Sequence, residues 1–310
     1  MKNQKTERIL RHMDSVIVGK SEISKFLLAA MLAGGHVLLE GVPGVGKTTF
    51  ANVLAKSVNC RFARIQFTPD TMPSDITGTS LYNYEKHAFE YAEGVLMNNM
   101  ILADEINRTS PKTQAALLEA MEEGCVTVDG VTHMLPKPFM VIATQNPVMQ
   151  RGTYYLPESQ LDRFMMKIYI GYPKEEEEIG IVKNMLEGKS AKQIESVIDK
   201  EELLQMQKDV ETVIIQDNLI AYATECVRNT RNHEKVLLGA SPRALLAWIK
   251  ASKAYAFVEG REYVTPDDLK LLAPIVLAHR LSMVQSIHDD AGAEEVIREI
   301  LRKVRVPLER

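Results

Sequence analysis

The stretch of sequence that decides the fold is a glycine-rich run, Gly41-Val-Pro-Gly-Val-Gly-Lys-Thr48. It matches the pattern G-x-x-x-x-G-K-[ST], in which glycines let backbone N–H groups wrap phosphate oxygens, the lysine reaches the terminal phosphates and the hydroxyl ligates Mg²⁺. An apolar run at 36–40 precedes the segment, and helical spacing resumes at 49–57. Because motif and context agree, we predict a phosphate-binding loop between a strand and a helix rather than an ordinary glycine-rich turn.

Two adjacent acidic residues follow the next strongly apolar run. Met100-Ile-Leu-Ala103 is typical of a buried strand, and Asp104 and Glu105 come directly after it. A nucleotide site that hydrolyses its ligand needs a carboxylate to hold the metal and a group to polarise water. An acidic pair by itself commonly marks only the end of a strand. Beside a phosphate-binding loop, however, the pair predicts that Asp104 holds Mg²⁺ through water and that Glu105 polarises the attacking water.

Three further polar residues are candidates for the same chemistry. Asn146 follows the apolar strand predicted at 139–143, where its carboxamide could orient the attacking water. Arg163 and Arg243 could neutralise the charge that develops on a transferred phosphoryl group. An Asn-Pro pair is more often a turn, and isolated arginines usually lie on the surface. The residue types alone therefore leave the roles of these three residues open.

The first half of the chain alternates predicted strands and helices. Helical spacing is present at 21–33 and 111–122, and the segment 67–80 is rich in Pro, Thr and Asp, which indicates an ordered insertion or loop. Asp129-Gly130 joins two alternating apolar runs, as the turn of a type I′ hairpin does. This alternation through about residue 170 predicts a mostly parallel sheet covered by helices, with one antiparallel hairpin inserted.

The pattern changes after residue 172. The acidic run at 175–178 opens a helical pattern, and strand-like alternation nearly disappears beyond it. Thr265-Pro-Asp-Asp268 combines an N-cap threonine, a proline at the first helical position and carboxylates in the first turn, which predicts a capped helix. At roughly 150 residues per domain, 310 residues allow two domains. We predict an α/β domain at 1–172 and a smaller all-α lid at 173–310.

The composition restricts the class of function. The sequence has 45% hydrophobic and 25% charged residues, which is ordinary for a globular protein. Its 37 basic and 41 acidic side chains give a net charge of −4, so the chain lacks the positive charge on which non-specific nucleic-acid binding usually depends. The most apolar stretch, 26–39, is interrupted and is shorter than the ~20 residues of a membrane span. We therefore expect no nucleic-acid partner and no integral membrane segment.

The location and the cysteines also carry expectations. The beginning of the sequence is charged throughout and has no apolar block followed by a small-residue cleavage site, so a cytoplasmic location is expected. Cys60, Cys125 and Cys226 are odd in number, far apart and never in a C-x-x-C pair. We therefore expect neither a disulfide framework nor a zinc site, and the only metal expected is the Mg²⁺ that accompanies a nucleotide.

Several motifs together resemble the MoxR family of AAA+ ATPases, in the helix-2-insert clade of that superfamily. The similarity includes the glycine-rich loop and extends over most of residues 14–285. Two segments, 64–70 and 73–79, resemble the helix-2 insert of the family, and 125–135 resembles its pre-sensor hairpin. The remaining matching blocks are Asp104-Glu-Ile-Asn-Arg108, Pro111-Lys-Thr-Gln-Ala-Ala-Leu-Leu-Glu-Ala-Met121, Ala143-Thr-Gln-Asn-Pro147, Leu156-Pro157, Gln160-Leu-Asp-Arg-Phe164 and Ser241-Pro-Arg243.

This resemblance implies a fold and a set of site residues. It implies a P-loop NTPase αβα core with a parallel five-stranded sheet and a smaller all-α lid, assembled as a ring, usually a hexamer, with ATP between neighbouring subunits. Asn146 would be the sensor 1 residue and Arg243 the sensor 2 residue in the lid, while Arg163 would act in trans. The backbone at Val18 and Gly19 would form part of the wall around adenine. The other residues expected to bind ATP and Mg²⁺ are Gly41, Pro43, Gly44, Val45, Gly46, Lys47, Thr48 and Thr49, with Thr48 and Asp104 holding the metal.

The resemblance also implies a function. ATP binding and hydrolysis would move the lid against the core and remodel or mature a protein client, often reached through a von Willebrand factor A-type partner. Three alternatives stay open. A nucleic-acid-associated AAA+ motor would call for a cluster of basic and aromatic residues, which the sequence lacks. A P-loop kinase would not require arginines at both a subunit boundary and a lid, and a nucleotide-gated scaffold with little turnover would not require Glu105.

Overall fold

The computed structural model describes residues 4–42, 44–145, 154, 156–186, 196–284 and 289–306. Pro43 and Asn146, two of the predicted site residues, lie outside the described residues. The strands, in chain order, are β1 (Val37–Gly41), β2 (Phe62–Gln66), β3 (Gly78–Asn83), β4 (Ala88–Glu93), β5 (Met100–Asp104), β6 (Cys125–Val128), β7 (Val131–Met134), β8 (Met140–Gln145), β9 (Met166–Ile170), β10 (Val236–Leu238) and β11 (Ser282–Met283). The helices are α1 (Gln4–Val16), α2 (Ser21–Leu32), α3 (Lys47–Ser57), α4 (Pro73–Thr77), α5 (Pro111–Glu123), α6 (Glu158–Leu161), α7 (Glu175–Leu186), α8 (Lys200–Glu211), α9 (Asp217–Arg231), α10 (Pro242–Val258), α11 (Pro266–Leu277) and α12 (Asp290–Lys303).

Five strands form one parallel sheet in the order β2, β5, β8, β1, β9. Consecutive side chains of a strand face opposite sides of a sheet. Leu39 accordingly joins the hydrophobic core on one side, and Leu38 joins the core on the other. Helix α3 packs against β5 on the first side, and Leu117 of α5 is part of the core on the second side. The predicted α/β architecture with a five-stranded parallel sheet is confirmed.

The strand pairing brings the ends of separate strands to the same edge. In the parallel registers, Glu40 of β1 is opposite Gln145 of β8, and Gln66 of β2 is opposite Asp104 of β5. The loop that follows β1 and the acidic pair at the end of β5 therefore lie at one edge, which we call the carboxyl edge of the sheet. The residues just before β1 and β9 lie at the opposite edge, the amino edge.

Two antiparallel hairpins lie in the part of the sheet domain that the structure describes. In the predicted hairpin β6–β7, Asp129 and Gly130 have φ values of 50° and 80°, as a type I′ turn requires. The second hairpin, β3–β4, was not predicted, because both of its faces are largely exposed and no alternation of apolar and polar residues marks its strands. The expectation of one inserted hairpin is therefore wrong. Tyr91 and His133 stack with ring centroids 3.8 Å apart, which joins the two hairpins.

The described residues after β9 are predominantly helical, as predicted, and they include one short antiparallel pair, β10–β11, that was not predicted. Helix α10 packs on α2, and α11 contacts β9. Leu27 of α2 and Trp248 of α10 belong to the same hydrophobic cluster. The lid helices and the sheet domain thus share one continuous core, and a domain boundary between 172 and 173 stays a prediction.

A buried arginine connects the lid to the sheet domain. Arg280 is 5% exposed, its Nε lies 2.8 Å from Oδ1 of Asp162, and its Nη2 donates to the carbonyl oxygen of Phe164 at 2.8 Å. Burial lowers the pKa of Arg280 to about 10, while the charge of Asp162 acts in the opposite direction. Because a buried charge is costly unless it is paired, these contacts hold the segment that carries Arg163 against the lid.

Candidate functional site

The glycine-rich loop joins the carboxyl end of β1 to the first turn of α3. Gly46 caps this helix with a φ of 89°, a left-handed conformation that other residues rarely adopt. At Gly41 a Cβ atom would lie 2.4 Å from the carbonyl oxygen of Ile170, so only glycine allows β1 and β9 to approach here. The first N–H groups of α3 have no intrahelical acceptor and carry the positive end of the helix dipole. The segment therefore has the backbone geometry of an anion-binding site.

Lys47, the first residue of α3, holds its ammonium group near this loop. Its Nζ donates to the carbonyl oxygen of Gly41. Burial lowers the pKa of Lys47, and the negative charges of Asp104, Glu105 and Glu40 act in the opposite direction. Lys47 is thus close enough to both predicted catalytic acids to interact with them electrostatically, although the three residues are far apart in sequence.

Asp104, the last residue of β5, is 8% exposed and has partners on both carboxylate oxygens. Oδ1 accepts a hydrogen bond of 2.5 Å from the hydroxyl of Thr144 on β8. Oδ2 lies 2.6 Å from Nη2 of Arg64 on β2. These two neighbouring strands therefore fix the orientation of the carboxylate from either side.

Glu105 follows in a left-handed conformation, with φ of 56° and ψ of 50°. This conformation costs a non-glycine residue roughly 1 kcal/mol or more and is concentrated at functional sites. The N–H of Glu105 donates to the hydroxyl oxygen of Thr144 at 2.9 Å, and its Oε2 lies 2.8 Å from Nη1 of Arg108. A single hydroxyl, that of Thr144, thus connects the backbone of Glu105 to the side chain of Asp104.

The residues predicted to hold Mg²⁺ fit such an ion. Thr48 is half-buried in the first turn of α3, and Asp104 has both oxygens engaged, which favours contact with a metal through water. Mg²⁺ characteristically keeps several waters and is bound by one or two protein groups together with phosphates. Within the described ranges, no group of three or more His, Cys, Asp or Glu is placed to hold a metal. The donor set therefore suits an ion that arrives with its nucleotide.

A cavity of about 370 Å³ lies beside the loop. Val18 lines it from the turn between α1 and α2, Val45 and Thr49 line it from the loop and α3, and Asn184 lines it from α7. Apolar side chains with a few polar groups are the usual lining of a site for a planar base. The contact of Val18 and Gly19 with adenine stays a prediction, and the cavity provides the space for it.

Arg163 and Arg243 lie together at a different place. Both contact Glu122, in the last turn of α5. Nη2 of Arg163 lies 3.2 Å from Oε2 of Glu122, and Nη2 of Arg243 donates to Oε1 of the same carboxylate. This turn of α5 is held near the start of β1, because Nε2 of His36 lies 3.2 Å from the carbonyl oxygen of Met121. The two arginines therefore form a second cluster, which Glu122 joins.

The second cluster lies at the amino edge of the sheet. His36 directly precedes β1, and its carbonyl oxygen accepts a hydrogen bond of 2.8 Å from Met165, directly before β9. The glycine-rich loop follows the opposite end of β1. That strand has five residues, which span roughly 16 Å at about 3.3 Å per residue. Arg163 and Arg243 are thus separated from the loop of their own chain by about the length of a strand.

The structure brings Lys47, Asp104 and Glu105 near one another, and it does not bring Arg163 or Arg243 to them. Three residues of the two clusters were missed by sequence reasoning. Thr144 is visible in sequence only as a polar residue near the end of an apolar strand, and Arg64 only as a charged residue in an alternating strand. Glu122 is one of three acids on the amphipathic helix α5, and no local signal distinguishes it from the other two.

These features define a class of protein. A parallel sheet in the order β2, β5, β8, β1, β9, a glycine-rich loop between β1 and α3, and a helical lid are together the architecture of a P-loop ATPase with an αβα core. Comparison with known proteins agrees with this. A family model described as "ATPase family associated with various cellular activities (AAA)" matches residues 36–166, and one described as "AAA lid domain" matches residues 228–300.

Similar proteins extend over nearly the whole chain. The chain is 50% identical over 304 residues to a Bacillus subtilis protein called uncharacterized protein YeaC, covering 98% of this chain and 95% of the relative. It is 41% identical over 311 residues to chaperone MoxR1 of Mycobacterium tuberculosis, covering 97% of this chain and 82% of the relative. The crystal structure of a candidate ATPase from Cytophaga hutchinsonii superimposes with a TM-score of 0.88 at 40% identity, covering 98% of this chain and 95% of that one.

The chain therefore belongs to the MoxR family of AAA+ ATPases, as its motifs predicted. Members of AAA ATPase families bind nucleotides, which agrees with the anion-binding geometry of the loop. Across the part of the chain that the structure describes, no helix has the length and apolarity needed to cross a membrane.

Proposed function

We propose that this chain binds ATP with Mg²⁺ at the carboxyl edge of its sheet and hydrolyses it in a ring whose neighbouring subunits share each site. The observation that carries the proposal is the separation of the two clusters. Lys47, Asp104 and Glu105 lie at the carboxyl edge, and Arg163 and Arg243 lie at the amino edge. A head-to-tail contact between subunits would bring the arginines of one chain to the loop of the next, and such contacts form a ring when the rotation between subunits closes.

Each residue then has a defined task. Lys47 and the N–H groups at the start of α3 hold the phosphates, while Thr48 and Asp104 hold Mg²⁺, which neutralises phosphate charge when it is bound. Glu105 accepts a proton from a water molecule as the water oxygen bonds to the γ-phosphorus and the bond to the β–γ bridging oxygen breaks, which yields ADP and phosphate. Arg163 and Arg243 of the neighbouring subunit stabilise the negative charge of the transition state. Asn146, just past β8, would orient the water.

The purpose of this turnover is the remodelling or maturation of a protein client. The name of the relative chaperone MoxR1 supports a chaperone-like role, and the family resemblance supports a hexameric ring that works with a von Willebrand factor A-type partner. The cytoplasmic location that the sequence predicts is part of the same proposal. The exposed aromatic residues of the β3–β4 hairpin, Tyr84 and Phe89, are one surface available to a client.

The test is steady-state ATP hydrolysis as a function of protein concentration, with light scattering on every sample. The samples are wild type, Arg163→Ala, Glu105→Gln and an equimolar mixture of the two variants. Each variant alone lacks one half of every shared site. The mixture contains sites in which the loop of an Arg163→Ala subunit meets the intact arginines of a Glu105→Gln subunit.

We expect specific activity to rise with assembly, each variant to assemble but turn over poorly, and the mixture to regain activity. Turnover that does not depend on concentration, together with an Arg163→Ala variant as active as wild type, would show that each chain works alone. In that case a monomeric phosphotransferase or a nucleotide-gated binding protein would replace the ring ATPase as the best explanation.

A further inference from the structure

Glu122 joins two arginines that come from distant parts of the chain. Arg163 belongs to the sheet domain, three residues before β9, and Arg243 lies in the first turn of the lid helix α10. Each guanidinium contacts a different oxygen of the same carboxylate, Arg163 at Oε2 and Arg243 at Oε1. One acidic side chain of α5 thus spans the boundary between the sheet domain and the lid.

The electrostatics of this cluster require an anion. Two guanidinium groups that approach one another repel, and the carboxylate of Glu122 between them offsets that repulsion. The pair remains accessible, because the side chains of Arg163, Arg243 and Glu122 are 27%, 51% and 33% exposed. Each guanidinium has five N–H donors, whereas Glu122 offers only two carboxylate oxygens. The two arginines therefore keep N–H donors that Glu122 does not use.

The backbone behind the cluster is also fixed. Asp162, directly before Arg163, pairs with the buried Arg280 at 2.8 Å. The hydroxyl of Ser241, the N-cap of α10, lies 3.4 Å from the other carboxylate oxygen of Asp162. The chain segments that carry Arg163 and Arg243 are therefore tied to each other, which leaves the two side chains as the adjustable part of the cluster.

We propose that Glu122 is a positioning residue, which holds Arg163 and Arg243 as a fork for the γ-phosphate bound by a neighbouring subunit. The inference rests on the proposed shared site. A carboxylate and a phosphoryl group both offer several oxygens to guanidinium donors, so a spacing at which two arginines reach one carboxylate also suits one phosphoryl group. Donors that are already in place need little reorganisation when charge develops in the transition state.

The experiment isolates Glu122 in the subunit that supplies the arginines. Arg163→Ala subunits supply a working loop and acids, and Glu105→Gln subunits supply only the arginine cluster. Three mixtures are compared, and each contains Arg163→Ala subunits. The second subunit is Glu105→Gln in the first mixture, Glu105→Gln/Glu122→Gln in the second and Glu105→Gln/Glu122→Asp in the third. The matched control is Glu105→Gln/Glu123→Gln, which changes the next, exposed acid of the same helix. Ring mass and binding of a fluorescent ATP analogue are measured for every sample.

We expect Glu122→Gln to lower the kcat of the mixed rings about tenfold or more, with little change in KM, ring mass or analogue binding. Glu122→Asp should regain part of the loss, because it keeps the charge, and the Glu123→Gln control should match Glu105→Gln alone. Equal or higher turnover with Glu122→Gln, or a loss of ring mass, would overturn the positioning role. If Glu105→Gln itself fails to restore turnover to Arg163→Ala, the shared site is wrong and the role of Glu122 is wrong with it.

Discussion

Thr144 is the residue on which the geometry of the two predicted acids depends. Its hydroxyl donates to Asp104 and accepts from the backbone N–H of Glu105, at 2.5 and 2.9 Å. Thr144 is fully buried, so water does not replace these contacts when the hydroxyl is removed. A buried donor or acceptor without its partner costs about 1–3 kcal/mol.

We therefore predict that Thr144→Val lowers the free energy of unfolding by about 1–3 kcal/mol and lowers kcat on the order of 100-fold. Thr144→Ser keeps the hydroxyl and serves as the control, with near wild-type turnover. Chemical denaturation and steady-state kinetics measure the two effects. A valine variant that keeps full turnover would show that the bridge does not position the acids.

Arg64 places a positive charge beside the predicted metal site. Its Nη2 lies 2.6 Å from Asp104, and its side chain is 48% exposed, so the ion pair itself adds little stability. A cation at this distance opposes the approach of Mg²⁺ to the same carboxylate.

We predict that Arg64→Gln lowers the Mg²⁺ concentration for half-maximal turnover several-fold. The control is Arg61→Gln, which should leave that concentration unchanged, because Arg61 is an exposed residue just before the same strand. A raised Mg²⁺ requirement in a titration would instead mean that Arg64 orients Asp104 for the metal.

His36 makes stability depend on pH. Nδ1 accepts a hydrogen bond of 3.0 Å from the N–H of Val141, so this buried ring is held neutral. Burial lowers the pKa of His36 to about 4, below its value of about 6.5 in the unfolded chain. Between these values the unfolded chain binds a proton that the folded chain does not, so stability falls as pH drops from about 6.5 towards 4.

We predict a loss of about 2–4 kcal/mol across this pH range from His36 alone. His36→Asn should reduce the slope of the unfolding free energy against pH. Part of the slope that remains comes from His279, because burial lowers its pKa as well. His87→Asn is the matched control, because His87 lies in an exposed turn. The slope is measured by denaturant unfolding at several pH values. Equal slopes in the wild type and His36→Asn would contradict the assignment.

At the scale of single elements, the start of α11 is the capped helix that the sequence predicts. The Thr265 hydroxyl accepts from the N–H of Asp268, and the Asp268 side chain reaches back to the N–H of Thr265 at 2.8 Å. Arg261 adds two contacts to the same carboxylate, at 2.5 and 2.6 Å. The acid is only 4% exposed, so its charge is compensated by these partners.

We predict that Asp268→Asn lowers the free energy of unfolding by about 2 kcal/mol, because the cap weakens and Arg261 loses its charged partner. Asp267→Asn, at the exposed neighbouring position of the same turn, should change stability by less than about 0.5 kcal/mol. Thermal or denaturant unfolding distinguishes the two. Equal effects of both variants would show that general charge at the helix start, rather than the cap, determines stability.

At the scale of the whole molecule, the lid does not stand apart from the sheet domain. Trp248 of the lid is fully buried in the same hydrophobic cluster as Leu27, and Arg280 pairs with Asp162 across the boundary. The movement of the lid against the core that the family resemblance implies would have to separate these contacts. Movement between neighbouring subunits would leave them in place.

We predict that the lid and the sheet domain unfold together. Trp248 is the only tryptophan of the sequence and reports on the lid, while far-UV circular dichroism reports on all helices and strands. The two signals should change at the same denaturant concentration. Val264, elsewhere in the lid core, offers a check, because Val264→Ala should shift both curves equally. Two separate transitions would contradict a shared core and would support independent domains.

Much of the fold and part of the site followed from sequence because their causes are local. The start of α3 after the glycine-rich run, the Asp129-Gly130 turn and the cap at Thr265 each depend on residues a few positions apart, and each has the predicted conformation. Apolar runs predicted the central strands, since a strand buried on both faces needs apolar side chains throughout. The exposed strands of the β3–β4 hairpin have no such pattern, and they were missed.

The sequence by itself thus determined the class of fold, the family and the position of the glycine-rich loop between β1 and α3. Only the tertiary structure decided which distant residues meet. Thr144 reaches Asp104 because β8 lies beside β5, and Glu122 joins Arg163 to Arg243 because the lid packs at the amino edge. The physical reason is that such contacts depend on strand order, register and the packing of a whole domain, which no short stretch of sequence encodes.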